Sequence, residues 1–242
     1  MMKQTTPEEN EGGLMKSLGS PMQRRMFFRY AGATAAATTL LLTTSCDDDD
    51  DVTPPSNTAV DLGSGDVGIL NYAYALEQLE AAFYTAVVAN SASALSSAEM
   101  AVMQDLKAHE VAHRELFKAA LGTSAIPNLE VDFSSIDFKN KTSVLNAAKT
   151  FEDLGVAAYN GAGKLLTDTG AGLDYLLLAG KIVSVEARHA AAIHDLISNN
   201  ARAYGAAQID ANGLDKAMAP ADVLAAAKTY IATEINFSNL PK

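Results

Sequence analysis

The chain has 242 residues, 48% hydrophobic and 19% charged, enough for one domain with a full core plus appendages. Its formal net charge is −11 and no basic patch survives in its body, which excludes an interface built on nucleic-acid phosphates. The lone cysteine, Cys46, excludes an intramolecular disulfide and a four-thiolate metal site, while abundant alanine and leucine lean towards an all-α fold.

Residues 1–46 read as an address. Arg24-Arg25-Met26-Phe27-Phe28-Arg29 places a twin-arginine pair before an aromatic pair and a third cation. The mildly apolar stretch from Tyr30 to Leu42 follows and is too short to span a bilayer securely. This order predicts export by the twin-arginine route, with an amphipathic helix or weak membrane anchor as the plainer alternative. Leu42-Thr43-Thr44-Ser45-Cys46 resembles a lipoprotein processing site, although Leu42 lies one place further from the cysteine than is usual. The expectation is a lipid anchor on Cys46 and a protein held at a membrane, periplasmic or at the cell surface. Residues 47–65 then form an acidic linker, with Asp47 to Asp51 as a solvated run and Pro54-Pro55 behind it.

Residues 66–200 contain a duplication. Leu70-Asn71, Leu76-Glu77, Leu79 and Tyr84 recur at identical offsets as Leu145-Asn146, Phe151-Glu152, Leu154 and Tyr159. Further on, Glu110-Val111-Ala112-His113 recurs as Glu186-Ala187-Arg188-His189. Each unit is a helix with one Glu followed by a helix with Glu-x-x-His. Apolar spacing predicts the first helix from a cap at Asp66 to about Asn90. Ser96 and Glu99 form a capping-box pair for the second, which ends at Gly122. Thr142 or Ser143 opens the third, to about Leu166, and the fourth runs from about Leu173 to Asn199. Residues 201–242 form a loop and a short fifth helix, from Asp222 after Pro220 to about Ile235.

Short loops make helices one and two antiparallel neighbours, and likewise three and four. The polar stretch from Gly122 to Lys141, at roughly 3.3 Å per residue, can cross the length of a helix. The fold expected is an all-α four-helix bundle with one long crossover and a short C-terminal fifth helix.

Glu and His three residues apart share one helix face. Two such helices facing each other bring two carboxylates and two imidazoles together, and the single Glu on each remaining helix completes six ligands. Hard oxygen plus imidazole donors suit two iron or manganese ions, with open positions for oxygen species. A buried Glu77 among Leu76, Leu79 and Phe83 is costly unless a cation pairs with it.

The run Leu70-Asn71, Leu76-Glu77-Gln78-Leu79-Glu80-Ala81-Ala82-Phe83-Tyr84, with Glu110-x-x-His113, Glu152 and Glu186-x-x-His189, resembles the ferritin-like domain of bacterial proteins labelled desiccation-related. The likeness covers about Asp66 to Asn200. It implies Glu77, Glu110, His113, Glu152, Glu186 and His189 as metal ligands, with Glu110 and Glu186 bridging. It implies a metal site more firmly than a reaction.

Other residues compete for roles. Glu80 is an alternative or supporting ligand, but the repeat pairs Glu77 with Glu152 and Glu80 with Gly155. Tyr84 and Tyr159, two turns beyond the helix glutamates, could hydrogen-bond a ligand or quench an oxidant, or simply be core tyrosines. His109-Glu110-Val111-Ala112-His113 is also a formal zinc-protease motif, yet Val185 stands where the second copy would need the extra histidine. His194 falls on a different face from His189 and reads as rim. Gly155, Gly161 and Gly163 suggest close approach or a kink, and Phe133 to Phe138 a crossover pinned by aromatics. Beside the di-metal protein, a non-catalytic envelope bundle and a zinc protease stay open.

Overall fold

A computed structural model describes residues 59–198 and 208–242. The twin-arginine pair, Cys46 and the acidic run lie outside the described residues. Four long helices dominate: α1 (Gly65–Asn90), α2 (Ser97–Leu121), α3 (Lys141–Ala162) and α4 (Ala171–Ser198), with a short α5 (Pro220–Ala227) behind them. Two-residue strands β1 (Val60–Asp61) and β2 (Ile235–Asn236) pair in parallel, Val60 with Ile235 and Asp61 with Asn236. Among the described residues no helix is long and apolar enough to cross a membrane.

Burial patterns explain the packing. α1 is buried on nearly every side from Gly68 to Tyr84, as expected for a helix apolar all round. α2 and α4 bury only a stripe. On α2 it reads Met103, Leu106, Glu110, Phe117 and Leu121; on α4 it includes Ile182, Glu186, His189 and Ile193. Glutamates thus occupy positions that helical periodicity reserves for core residues. α1 packs chiefly on α2, and α3 on α4.

The capping box at α2 forms as expected, Ser96 Oγ accepting from Glu99 N–H and Glu99 Oε2 from Ser96 N–H. Gly122 closes that helix at a φ of 54°, in the region glycine tolerates best. Three boundaries differ from expectation. Ser64 holds the cap position of α1, and Asp66 instead accepts from the N–H and hydroxyl of Thr167, tying α1 to the α3–α4 connection. Asn140, not Thr142 or Ser143, caps α3 by accepting from Ser143 N–H. α3 itself ends at Ala162, and a 3-10 turn carries Gly163–Leu165.

α5 stops at Ala227, well short of Ile235. Tertiary pairing takes the rest: Val131 and Ile231 form an antiparallel bridge, and Tyr230 O accepts from Asp132 N–H. The C-terminal tail therefore lies along the crossover. Phe83, Phe133, Phe138, Phe151 and Tyr230 pack ring against ring and pin that crossover to α1 and α3, with Phe151 and Tyr230 centred 4.7 Å apart. Gln78 accepts from Leu129 N–H, and Asn71 accepts from Ile126 N–H, so two buried polar residues of α1 fix the start of the crossover.

Candidate metal centre

The four stripe glutamates meet in the bundle core. Glu77, Glu110, Glu152 and Glu186 are all 0% exposed. Two overlapping groups form: Glu77, Glu110, His113 and Glu186; and Glu110, Glu152, Glu186 and His189. In each, one ligand atom per residue lies within 4.8 Å of all the others. Glu110 and Glu186 belong to both groups.

The contacts cross between the halves of the repeat. His113 Nδ1 lies 2.9 Å from Glu186 Oε1, 3.4 Å from Glu110 Oε2 and 3.5 Å from Glu77 Oε2. His189 Nδ1 lies 2.7 Å from Glu110 Oε1, 3.4 Å from Glu186 Oε2 and 3.6 Å from Glu152 Oε2. The tyrosines cross as well. Tyr84 donates to Glu152 Oε1 at 2.5 Å, and Tyr159 donates to Glu77 Oε1. Each outer glutamate is thereby held by the tyrosine of the opposite copy.

Close approach is not the same as satisfaction. Glu77 Oε2, Glu152 Oε2, both oxygens of Glu110 and of Glu186, and Nδ1 of both histidines are buried without an aligned hydrogen-bond partner. Two imidazole nitrogens cannot satisfy six carboxylate oxygens at once, and a buried acceptor left unsatisfied costs about 1–3 kcal/mol. Eight such atoms aimed at one another are donors for cations. Oxygen-rich sets with one imidazole each fit iron or manganese.

The electrostatics agree. Burial pushes the Glu77 carboxyl well above its ordinary range, and the neighbouring His113 only partly offsets it. Burial raises Glu152 to about 8, again against the pull of His189. For Glu110 burial is outweighed by His113 and His189, which hold it down at about 2. Burial would lower both histidines, but the surrounding carboxylates win and push each up to about 12. Protons here do the work of counter-ions that a cation would displace. Burial, and then the Glu152 charge on Tyr84 and the Glu77 charge on Tyr159, keep both phenols protonated as donors.

All six expected ligands converge. His109 belongs to neither group: it is exposed on α2 and its Nδ1 lies 2.9 Å from His189 Nε2, with the two rings stacked 5.1 Å apart. It therefore braces the outer nitrogen of His189 instead of sharing an ion with His113. The sequence signalled His109 as the first histidine of a formal zinc-protease motif and as a departure from the repeat, not as a partner of His189. His194 is partly buried, with Nε2 2.8 Å from Asp153 Oδ1, joining α4 to α3 away from the centre. Glu80 is 3% exposed and stands outside both groups. The glycines on α3 have separate uses: Gly155 faces Glu80, and Gly161 makes room for the backbone of Met218.

A bundle of two antiparallel helix pairs around two Glu/His groups is the mark of ferritin-like proteins. The family model described as "Ferritin-like domain" matches residues 65–199, more than half the chain, and the protein belongs to that family. No curated protein matches the chain.

Proposed function

We propose that the protein binds a binuclear iron or manganese centre and uses it to react with dioxygen or peroxide, or to handle iron. The observation carrying this is the set of eight buried atoms without an aligned hydrogen-bond partner on six converging residues, in two groups that share Glu110 and Glu186. Glu77 and His113 would serve one ion, Glu152 and His189 the other, with the shared glutamates between them. When bound, such a pair supplies one-electron chemistry towards oxygen species.

The chain's own part is positional. Tyr84 and Tyr159 hold the outer carboxylates and are the oxidisable groups in direct contact with them. α1, buried on nearly all sides, keeps water from one flank, while His109 marks the side near solvent. Elemental analysis with anaerobic iron(II) titration tests the proposal. Two ions per chain are expected, with an ultraviolet absorbance that changes on admitting oxygen. Absence of bound metal, with thermal stability unmoved by any added ion, would instead support a non-catalytic envelope bundle.

We further propose export through the twin-arginine segment and anchoring by a lipid on Cys46, on the sequence features alone. Replacing Cys46 with alanine should move the protein from the membrane to the soluble fraction.

A further inference from the structure

Among the described residues, Glu80 is the one buried acid that the six-ligand centre leaves unused. It is 3% exposed, and its Oε2 has no hydrogen-bond partner. It also breaks the repeat, since the matching residue is Gly155. The geometry explains the break. Tyr84 reaches Glu152 while Tyr159 reaches Glu77, so α1 and α3 run antiparallel with these pairs level. Glu80 lies between Glu77 and Tyr84, and Gly155 between Glu152 and Tyr159. The two therefore face each other where the halves of the repeat meet. A Cβ on residue 155 would stand 2.9 Å from Glu80 Oε1, 3.7 Å from its Cδ and 3.8 Å from Oε2. Two glutamates cannot fit there; one glutamate opposite a glycine can.

Burying a further carboxylate in a pocket already lined with four is expensive without a compensating charge. Charge counting says what it compensates. Four carboxylates and two neutral imidazoles balance two divalent ions. A fifth carboxylate balances one divalent and one trivalent ion.

We propose that Glu80 is a seventh ligand, admitted by Gly155, which makes the two metal positions unequal and lets the centre hold a trivalent ion beside a divalent one. The inference rests on the binuclear reading above. As the side chains lie, Glu80 is outside both four-residue groups, so it joins by rotation of its own side chain, within the space that Gly155 leaves open.

The test uses redox-silent or slowly oxidised ions, so that turnover is not the readout. Cobalt(II) and gallium(III), the latter offered as its citrate complex, are titrated into the apo forms of wild type, Glu80→Gln and Gly155→Ala. Bound metal is counted, and the cobalt visible bands report coordination. In wild type, two cobalt ions with distinct bands and uptake of gallium are expected. Glu80→Gln should weaken gallium uptake by about tenfold or more, change the cobalt bands, and leave cobalt affinity much less affected. Gly155→Ala should act in the same direction, because its methyl meets the movable end of Glu80 and not backbone.

If both variants take up gallium and cobalt as wild type does, with unchanged bands, the seventh-ligand proposal is overturned while the binuclear centre stands. If wild type itself binds neither ion, the binuclear reading fails first. Should Glu80→Gln not fold, Gly155→Ala alone decides. A melting scan of the apo forms adds a second check. A metal ligand predicts a higher melting temperature for Glu80→Gln than for wild type, since a costly buried acid is gone; a purely structural carboxyl predicts a lower one.

Discussion

Glu152 shows at residue scale what the centre costs without metal. Its carboxyl keeps a proton up to about pH 8 in the folded chain, against an ordinary value of 4.5. That contribution to stability is complete below about pH 4.5 and is lost as the pH rises through about 8. The histidines, raised from 6.5 to about 12, begin to lose theirs above about pH 6.5. Glu110 runs the other way, but its change is over once the pH exceeds its ordinary value of 4.5. The apo protein should therefore be more stable at pH 5 than at pH 8. Urea unfolding in chelator at the two pH values checks this, and a higher midpoint at pH 8 would contradict it. Metal binding must expel these protons, so metal affinity should rise over the same range. His109 gives a second prediction. Removing the brace on His189 Nε2 with His109→Ala should weaken metal binding about 10- to 100-fold, read by competition with a chromophoric chelator. His109→Gln, which keeps a hydrogen-bonding end, should recover part of the loss. A zinc protease would instead lose an ion outright, but His109 lies outside both Glu/His groups and contacts His189.

At the scale of elements, two local devices carry measurable weight. Ser96→Ala removes the side-chain half of the capping box on α2 and should cost about 1 kcal/mol in chemical denaturation. Gly161→Ala is the harsher change. Its methyl would lie 1.7 Å from the Met218 carbonyl oxygen, and backbone cannot yield as a side-chain tip can. The segment that hydrogen-bonds Met218 N–H to Ala157 O should detach, visible as faster amide exchange around Met218 and α5. Sequence was a good guide wherever a signal was local. The capping box, the glycine stop and the four helices follow from short-range patterns. The six convergent residues were legible because duplication repeats them at matched offsets. The end of α5 was not, because what stops it is pairing between Ile231 and Val131, a hundred residues apart in sequence though adjacent in space. Nor was the inequality of the two asparagines. Asn71 is buried and bonds Leu62 O, Ser124 O and Ile126 N–H, while Asn146 is exposed, although the repeat writes them alike.

For the whole molecule, the centre sits where all four long helices contribute, so loading it is coupled to the global fold. Ligand bound to the native state alone adds about 2.7 kcal/mol at a hundred times its dissociation constant. The melting temperature should rise with manganese(II) concentration and fall back on chelation; a flat response would separate the site from stability. The bundle is also stitched at its termini. β1 pairs with β2, and Leu240 is buried against the body, its methyl 2.9 Å from where a Cβ on Gly68 would be. Deleting residues 235–242 should expose the crossover to protease before it lowers helicity by circular dichroism.

The crossed tyrosine–glutamate pairs reach further than either residue. Tyr84 serves the outer acid of the second half, and Tyr159 that of the first. Neither helical hairpin owns a finished pocket, so one hairpin alone would need a second, identical copy to complete it. Within one chain the two halves need not be identical where they meet. Glu80 opposite Gly155 is such a difference, an arrangement that two identical hairpins could not make.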